Sequence, residues 1–105
     1  MSTVIENRQE VIDRISQLKP QLRAHGVNRL ALFGSFARNT QRRDSDVDLL
    51  VEFLPGRKTF DSFMAVCDLL EESLQRHVEL LTREALSPHI GPRILQEAED
   101  VFAAN

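Results

Sequence analysis

The 105-residue chain contains neither tryptophan nor tyrosine; its only aromatic residues are six phenylalanines. No phenolic hydroxyl is therefore available within it. It has a single cysteine, Cys67, which excludes an internal disulfide and every zinc site built on several thiolates. No apolar stretch approaches the roughly 18 residues that a membrane-spanning helix needs. The N-terminus shows no apolar signal-peptide core. Together these absences lead us to expect a reducing, cytoplasmic setting and no membrane partner. Basic charge is not in excess either: 13 Lys and Arg stand against 16 Asp and Glu, a net charge of −3. A generally basic nucleic-acid-binding surface is not expected from that balance. There is no repeat, no low-complexity tract and no linker long enough to separate domains. Hydrophobic residues make up 42%, enough for a modest two-layer core, so residues 1–105 read as one domain.

The charge is unevenly placed. Residues 1–43 carry a net +5 and residues 44–105 a net −8. Solvated faces of ordinary elements account for such a contrast. So does a basic, phosphate-facing patch beside an acidic, metal-binding edge.

Val4, Ile5, Val11, Ile12, Ile15, Leu18 and Leu22 recur at helical spacing, which predicts an amphipathic helix over about residues 4 to 24. Pro20 predicts a kink or break near its end, and Gly26 a C-terminal cap. Val27 to Phe33 reads as a short strand that ends sharply at Gly34-Ser35, where a short helix can begin. Val47 to Phe53 reads as a second strand, with Val47, Leu49, Val51 and Phe53 on one face and Asp48, Leu50 and Glu52 on the other. Phe60, Phe63, Met64, Val66, Cys67, Leu70 and Leu74 mark a further amphipathic helix, with Cys67 in its apolar stripe. Val78 to Leu81 reads as a third strand. After Pro88, Gly91 and Pro92, the spacing of Ile94, Leu95, Ala98, Val101 and Phe102 predicts a closing helix. The order helix–strand–helix–strand–helix–strand–helix fits a small α/β or α+β sandwich.

Asp44, Asp46 and Asp48 alternate along a segment that enters a strand, where aspartate is disfavoured. Asp46 and Asp48 would share a face, roughly 6–7 Å apart at the backbone. Two carboxylates at that distance repel by about 2–3 kcal/mol at an effective dielectric near 20. Bulk water or a divalent cation relieves this, and Mg²⁺ takes carboxylate oxygens while keeping phosphate and water ligands. A bare Asp-x-Asp is more often an acidic turn with capping roles. A calcium loop of the EF-hand kind does not fit, because Leu49 stands at its glycine position and Pro55 at its closing acid.

Eleven residues before Asp46 stands Ser35, within Leu32-Phe33-Gly34-Ser35-Phe36-Ala37-Arg38. A strand running through Gly-Ser into a helix start suits phosphate: glycine admits it to the backbone, the hydroxyl can donate, and the helix N-terminus favours negative charge. Gly-Ser alone also reads as a simple turn. It is not a Walker loop, since no Gly-Lys-Ser/Thr follows, and no GxGxxG occurs. Arg38, Arg42 and Arg43 lie between Gly-Ser and the aspartates, as solvated arginines or as holders of phosphate oxygens. His25, His77 and His89 lack zinc-ligand spacing and read as structural or exposed. Ser87-Pro88 reads as a helix start. The acidic tail of Glu97, Glu99 and Asp100 reads as a solvated face or a dock for a basic partner.

Gly34-Ser35-Phe36-Ala37-Arg38, a short polar spacer and then Ser45-Asp46-Val47-Asp48-Leu49-Leu50-Val51 strongly resemble the nucleotidyltransferase superfamily that includes DNA polymerase β. Over nearly all of its length the chain resembles the smallest branch, the minimal nucleotidyltransferase (MNT) proteins, generally encoded as antitoxins beside HEPN-domain toxins. The resemblance implies a small mixed sheet flanked by helices that binds Mg²⁺ and a nucleoside triphosphate. Gly34 and Ser35 would hold the triphosphate, with Arg38 as a neighbour. Asp46 and Asp48 match the paired metal ligands and catalytic carboxylates of the family. Glu79 matches the third carboxylate, where the family usually has Asp. The extra methylene can move the carboxylate by about 1 Å, and such a shift can cost around 10²-fold in rate. Asn39 stands where relatives commonly carry Gly, a mild departure because Asn tolerates positive φ.

The implied reaction follows two-metal logic. Asp46 and Asp48 hold one Mg²⁺ with the triphosphate, and Asp48 and Glu79 help hold a second. A hydroxyl attacks the α-phosphorus of ATP and pyrophosphate leaves. In the family the acceptor is a tyrosine of the partner HEPN toxin, and the lack of tyrosine here is consistent with an acceptor in another chain. The resemblance thus implies a hetero-oligomeric antitoxin without direct nucleic-acid binding. An antitoxin that neutralises its toxin by contact alone is the other outcome that Glu79 leaves open.

Overall fold

The structure is a computed structural model that describes residues 7–104. Asn7 caps the first helix, its side chain accepting from the Glu10 amide at 2.9 Å. Instead of one helix there are two, α1 (Arg8–Ser16) and α2 (Lys19–Ala24). The break falls at Gln17-Leu18, ahead of Pro20, which sits in the first turn of α2. A proline there needs no amide partner, so it starts a helix more readily than it continues one. Val4 and Ile5, placed in this helix from the sequence, lie outside the described residues. Gly26, at φ +80°, closes α2 as expected.

Strand β1 (Val27–Phe33) runs directly into the short helix α3 (Gly34–Arg38), and β2 (Val47–Phe53) follows a polar loop. Helix α4 (Phe60–Leu74) starts with a capping box, in which Thr59 and Ser62 each accept from the other's amide at 3.0 Å. Strand β3 (Val78–Thr82) reaches one residue further than its apolar run.

The tail departs most from expectation. Helix α5 (Gly91–Glu97) stops at Ala98, and Glu99–Ala103 form a fourth strand, β4. β4 pairs antiparallel with β1, with Leu30 opposite Phe102. Without it β1 would be an open edge, and Phe102, now buried, would face water. Glu99 and Asp100 of the acidic tail are solvent-exposed, and the tail's acids also pair within the chain: Asp100 meets Arg29 at 2.7 Å, Glu99 pairs with Arg8, and Glu97 with Arg38.

The sheet order is β3-β2-β1-β4. β1 is antiparallel to β2 and β4, and β2 is parallel to β3, so the sheet is mixed. One face carries Leu30, Leu32, Val47, Leu49 and Val51, and packs against Val11 and Ile15 of α1, Leu22 of α2 and Val66, Leu70 and Leu74 of α4. The other face carries Ala31, Phe33, Leu50 and Leu81 under a thinner cover of Leu86, Ile94 and Ala98. The face holding Asp48 is thus the lightly covered one. Of the α4 stripe, Phe60 and Met64 stay exposed, at 78% and 40%, because they turn away from the line that meets the sheet. Cys67 is half-buried, and burial pushes its thiol pKa up, so it behaves as a packing residue. Among the described residues no helix is long and apolar enough to cross a membrane.

Candidate active site

Three chain segments converge where β1 ends and β2 and β3 begin. β1 delivers Gly34 at φ +76°, a left-handed conformation that side chains other than glycine rarely adopt. Phe33 stands opposite Asp48 in the β1–β2 register, so the chain turns at Gly34 directly over that carboxylate. A β-carbon on Gly34 would lie 2.1 Å from Asp48 Oδ2. Glycine is therefore required twice over, for its φ and for the space the carboxylate fills. The parallel β2–β3 register then sets Glu79 beside Asp48.

Helix α3 is held by Phe36, which is fully buried; such burial contributes about 2–3 kcal/mol. This fixes Ser35 at the rim of the site. The Ser35 carbonyl accepts from the Thr40 amide at 2.9 Å, which folds the outgoing loop back on the helix. Asn39 takes the left-handed conformation at φ 59°, closing α3. The Ser35 hydroxyl has no partner among the described residues.

The electrostatics single out Asp48. Its pKa is raised from 3.8 to about 6, first by burial and then by the charges of Asp46 and Glu79; Arg38 opposes this and Glu97 adds to it. Asp46, just ahead of β2, is exposed, with His77 Nδ1 3.3 Å from its Oδ2. Glu79 is also exposed. Arg38 pairs with Glu97 and lines an open cleft of about 450 Å³ with Arg93, Gln96 and Glu97, and the charges of Arg38 and Glu97 both reach Asp48. Arg42 and Arg43 are exposed on the loop.

Among the described residues no three His, Cys, Asp or Glu side chains are gathered tightly enough to hold a metal ion by themselves. The donor chemistry still suits magnesium. That ion is usually bound by one or two carboxylates plus substrate phosphates and water, not by a protein cage. A half-buried carboxyl raised by two neighbouring acids is a concentration of negative charge that a cation relieves.

The raised pKa has a signed consequence. Below about 3.8 Asp48 is protonated whether the chain is folded or not, and above about 6 it is ionised in both states. In between, the folded protein holds the extra proton. The stability contributed by the neutral carboxyl is fully present below about pH 4 and is lost as the pH rises through about 6. In metal-free buffer, Asp48→Asn should gain thermal midpoint relative to the parent across that window, with the gain largest at neutral pH. A difference that does not change with pH would contradict the shift.

The sequence placed Gly34, Ser35, Arg38, Asp46, Asp48 and Glu79 as one group, and the fold sets Asp48 and Glu79 side by side in register with Gly34 against Asp48, while the charges of Asp46 and Arg38 also reach Asp48. The sequence reading gave Glu97 to a solvated or docking face and His77 to a structural or exposed position, and did not see that Glu97 holds Arg38 or that His77 contacts Asp46. The signal for His77 was its place two residues before Glu79. Once Asp48 is paired with Glu79, Asp46 must come next to His77.

A sequence profile of the nucleotidyltransferase domain matches residues 9–101, most of the chain. The chain belongs to the nucleotidyltransferase domain family. Among curated relatives, a candidate protein adenylyltransferase of Methanocaldococcus jannaschii, MJ0435, is 45% identical over 83 residues, covering 79% of this chain and 88% of the relative. A solved structure of a candidate minimal nucleotidyltransferase superposes with a TM-score of 0.77 at 32% identity, over 90% of this chain and 95% of that one. A complex of a tri-AMPylated HEPN toxin of Shewanella oneidensis with an MNT antitoxin contains a chain that superposes with a TM-score of 0.63. That chain is 17% identical, with 91% of this chain and 72% of that one covered, so it speaks for the fold. The two solved structures thus share the fold of this chain.

Proposed function

We propose that this nucleotidyltransferase domain transfers AMP from ATP, with Mg²⁺, to a tyrosine hydroxyl of a HEPN-domain toxin, and so acts as that toxin's antitoxin. The observation that carries the reading is the Gly34 backbone seated on the Asp48 carboxylate, with Asp46 and Glu79 as charged neighbours. The adenylyltransferase name of the M. jannaschii relative and the AMPylated HEPN toxin of the Shewanella complex supply the acceptor class.

Asp46 and Asp48 would hold magnesium together with the triphosphate, and Glu79 would assist from β3. The metal, when bound, supplies charge neutralisation on the phosphates and favours loss of the acceptor proton. Gly34 lets the phosphates approach the backbone, and the Ser35 hydroxyl donates to them. Arg38 exchanges its Glu97 partner for a phosphate oxygen, with the open cleft beside it giving the nucleotide room. The tyrosine oxygen attacks the α-phosphorus, the bond to the β-phosphate oxygen breaks, and pyrophosphate departs. Positioning and charge account for the catalysis. A cytoplasmic setting follows from the substrates.

A reading of masking by contact alone is favoured by one feature, the exposed and longer Glu79 in place of aspartate. Mass spectrometry of the HEPN toxin after incubation with ATP, Mg²⁺ and this protein separates the two. Added mass in AMP units supports transfer. An unmodified toxin in a stable complex supports masking and overturns the proposal.

Glu79 offers a sharper check. Glu79→Ala should lose about 10-fold or more in transfer rate, and Glu79→Asp should keep or raise it. Equal rates for all three proteins would remove Glu79 from the site.

A further inference from the structure

We propose that Arg76 and His77, just ahead of β3, are positioning residues that hold Asp46 in place beside Asp48; this rests on the reading of Asp46 as a magnesium ligand. Asp46 lies in a polar loop between α3 and β2, outside any helix or strand. The loop has a tight turn of its own, with the Arg42 amide donating to Ser45 Oγ at 2.7 Å and the Ser45 amide to the Arg42 carbonyl at 3.0 Å. That turn orders Arg42 to Ser45 but does not tie Asp46 to the sheet.

Arg76 and His77 make the tie at three successive residues. Arg76 Nη1 donates to the carbonyls of Arg43 and Ser45, both at 2.8 Å. The His77 carbonyl accepts from the Val47 amide at 3.0 Å. The His77 ring brings Nδ1 to 3.3 Å from Asp46 Oδ2. Ser45 and Val47 are thus held through the backbone, and Asp46 between them through its side chain.

The brace is anchored at both ends. The Arg76 guanidinium lies over the Phe36 ring, 5.1 Å from its centroid, and Phe36 is the buried side chain next to Ser35. On the other side, Glu71 Oε2 accepts from the Val78 amide at 2.9 Å and lies 3.8 Å from His77 Nε2. Arg76 therefore couples the helix that presents Ser35 to the loop that presents Asp46. A planar guanidinium can stack on the ring and donate to two carbonyls together, which a lysine cannot do. His77 is mostly exposed, so water competes for its contact and its share is the smaller one.

The test uses the full chain and reads the binding of magnesium with AMP-PNP by calorimetry, with amide hydrogen exchange over residues 42–47 as a second measure. Arg76→Met should weaken magnesium-dependent AMP-PNP binding by about 10–100-fold. It should also speed exchange over residues 42–47 while the amides of β1 and α4 keep their protection. His77→Ala should weaken binding by about 3–10-fold, and His77→Asn, whose amide can donate from a similar place, should recover most of it. The His77 pair decides the matter if Arg76→Met fails to fold. Unchanged binding and exchange in folded Arg76→Met, or equal losses in both His77 variants, would overturn the inference. Asp46→Asn separates the two layers. If it binds magnesium and AMP-PNP as the parent does, the assignment of Asp46 as a ligand falls. If it abolishes binding while the Arg76 and His77 variants bind normally, only the brace falls.

Discussion

Replacing Asp46 and Asp48 together by asparagine should reduce AMP transfer by roughly 10³-fold or more, since a single preorganised charge-stabilising group is worth about 10²–10³. The same protein should unfold at a temperature equal to or above the parent's at neutral pH. The reason is the repulsion already present in the parent, where Asp48 is half-buried and opposed by Asp46 and Glu79. Asparagine keeps the shape and removes the charge. Loss of function with retained or raised stability is the mark of a site strained for its task, and it separates this outcome from simple unfolding. Radiolabel transfer from ATP to the HEPN toxin, read beside a thermal melt, checks both halves. A double variant that modifies the toxin at the parent rate would end the catalytic assignment.

Gly34→Ala should be nearly as damaging, by a different route. Alanine at φ +76° costs about 1–2 kcal/mol in backbone strain. Its β-carbon, 2.1 Å from Asp48 Oδ2, cannot coexist with the carboxylate where it now stands. Either Asp48 swings away or the end of β1 moves, and a displacement of about 1 Å can cost around 10²-fold in rate. Denaturation measurements can isolate the clash. In an Asp48→Ala background the carboxylate is gone and only the β-carbon at position 48 stays close, at 3.1 Å, so Gly34→Ala should cost clearly less than in the parent. If its cost is the same in both backgrounds, Gly34 and Asp48 are not in contact.

The helices α1 and α4 were readable from the helical repeat of their apolar residues, and β1, β2 and β3 as short apolar runs, because β1 and β2 bury residues on both faces of the sheet. β4 was not. Val101 and Phe102 continue the helical spacing of Ile94, Leu95 and Ala98, and nothing local marks Ala98 as a stop. What makes Glu99–Ala103 a strand is the unpaired edge of β1 and the arginines Arg8 and Arg29 that receive its acids. The split at Gln17-Leu18 was half legible: Pro20 announced a break, but its preference for a helix start moved that break upstream.

By itself the sequence determined the chemistry on offer: a glycine-serine turn at the end of a strand, paired aspartates opening the next, and a further acid two residues into an apolar run. Local spacing sets those features, because side-chain direction along a strand and the need for glycine at a sharp turn are properties of a few neighbouring residues. Only the tertiary structure decided which groups meet. The Asp48–Glu79 pairing, the seat of Gly34 on Asp48, the hold of Glu97 on Arg38 and the placing of Asp46 by Arg76 and His77 all join residues far apart in the chain. Their partners follow from strand order and register, and those are set by the burial of the whole sheet between its two unequal covers.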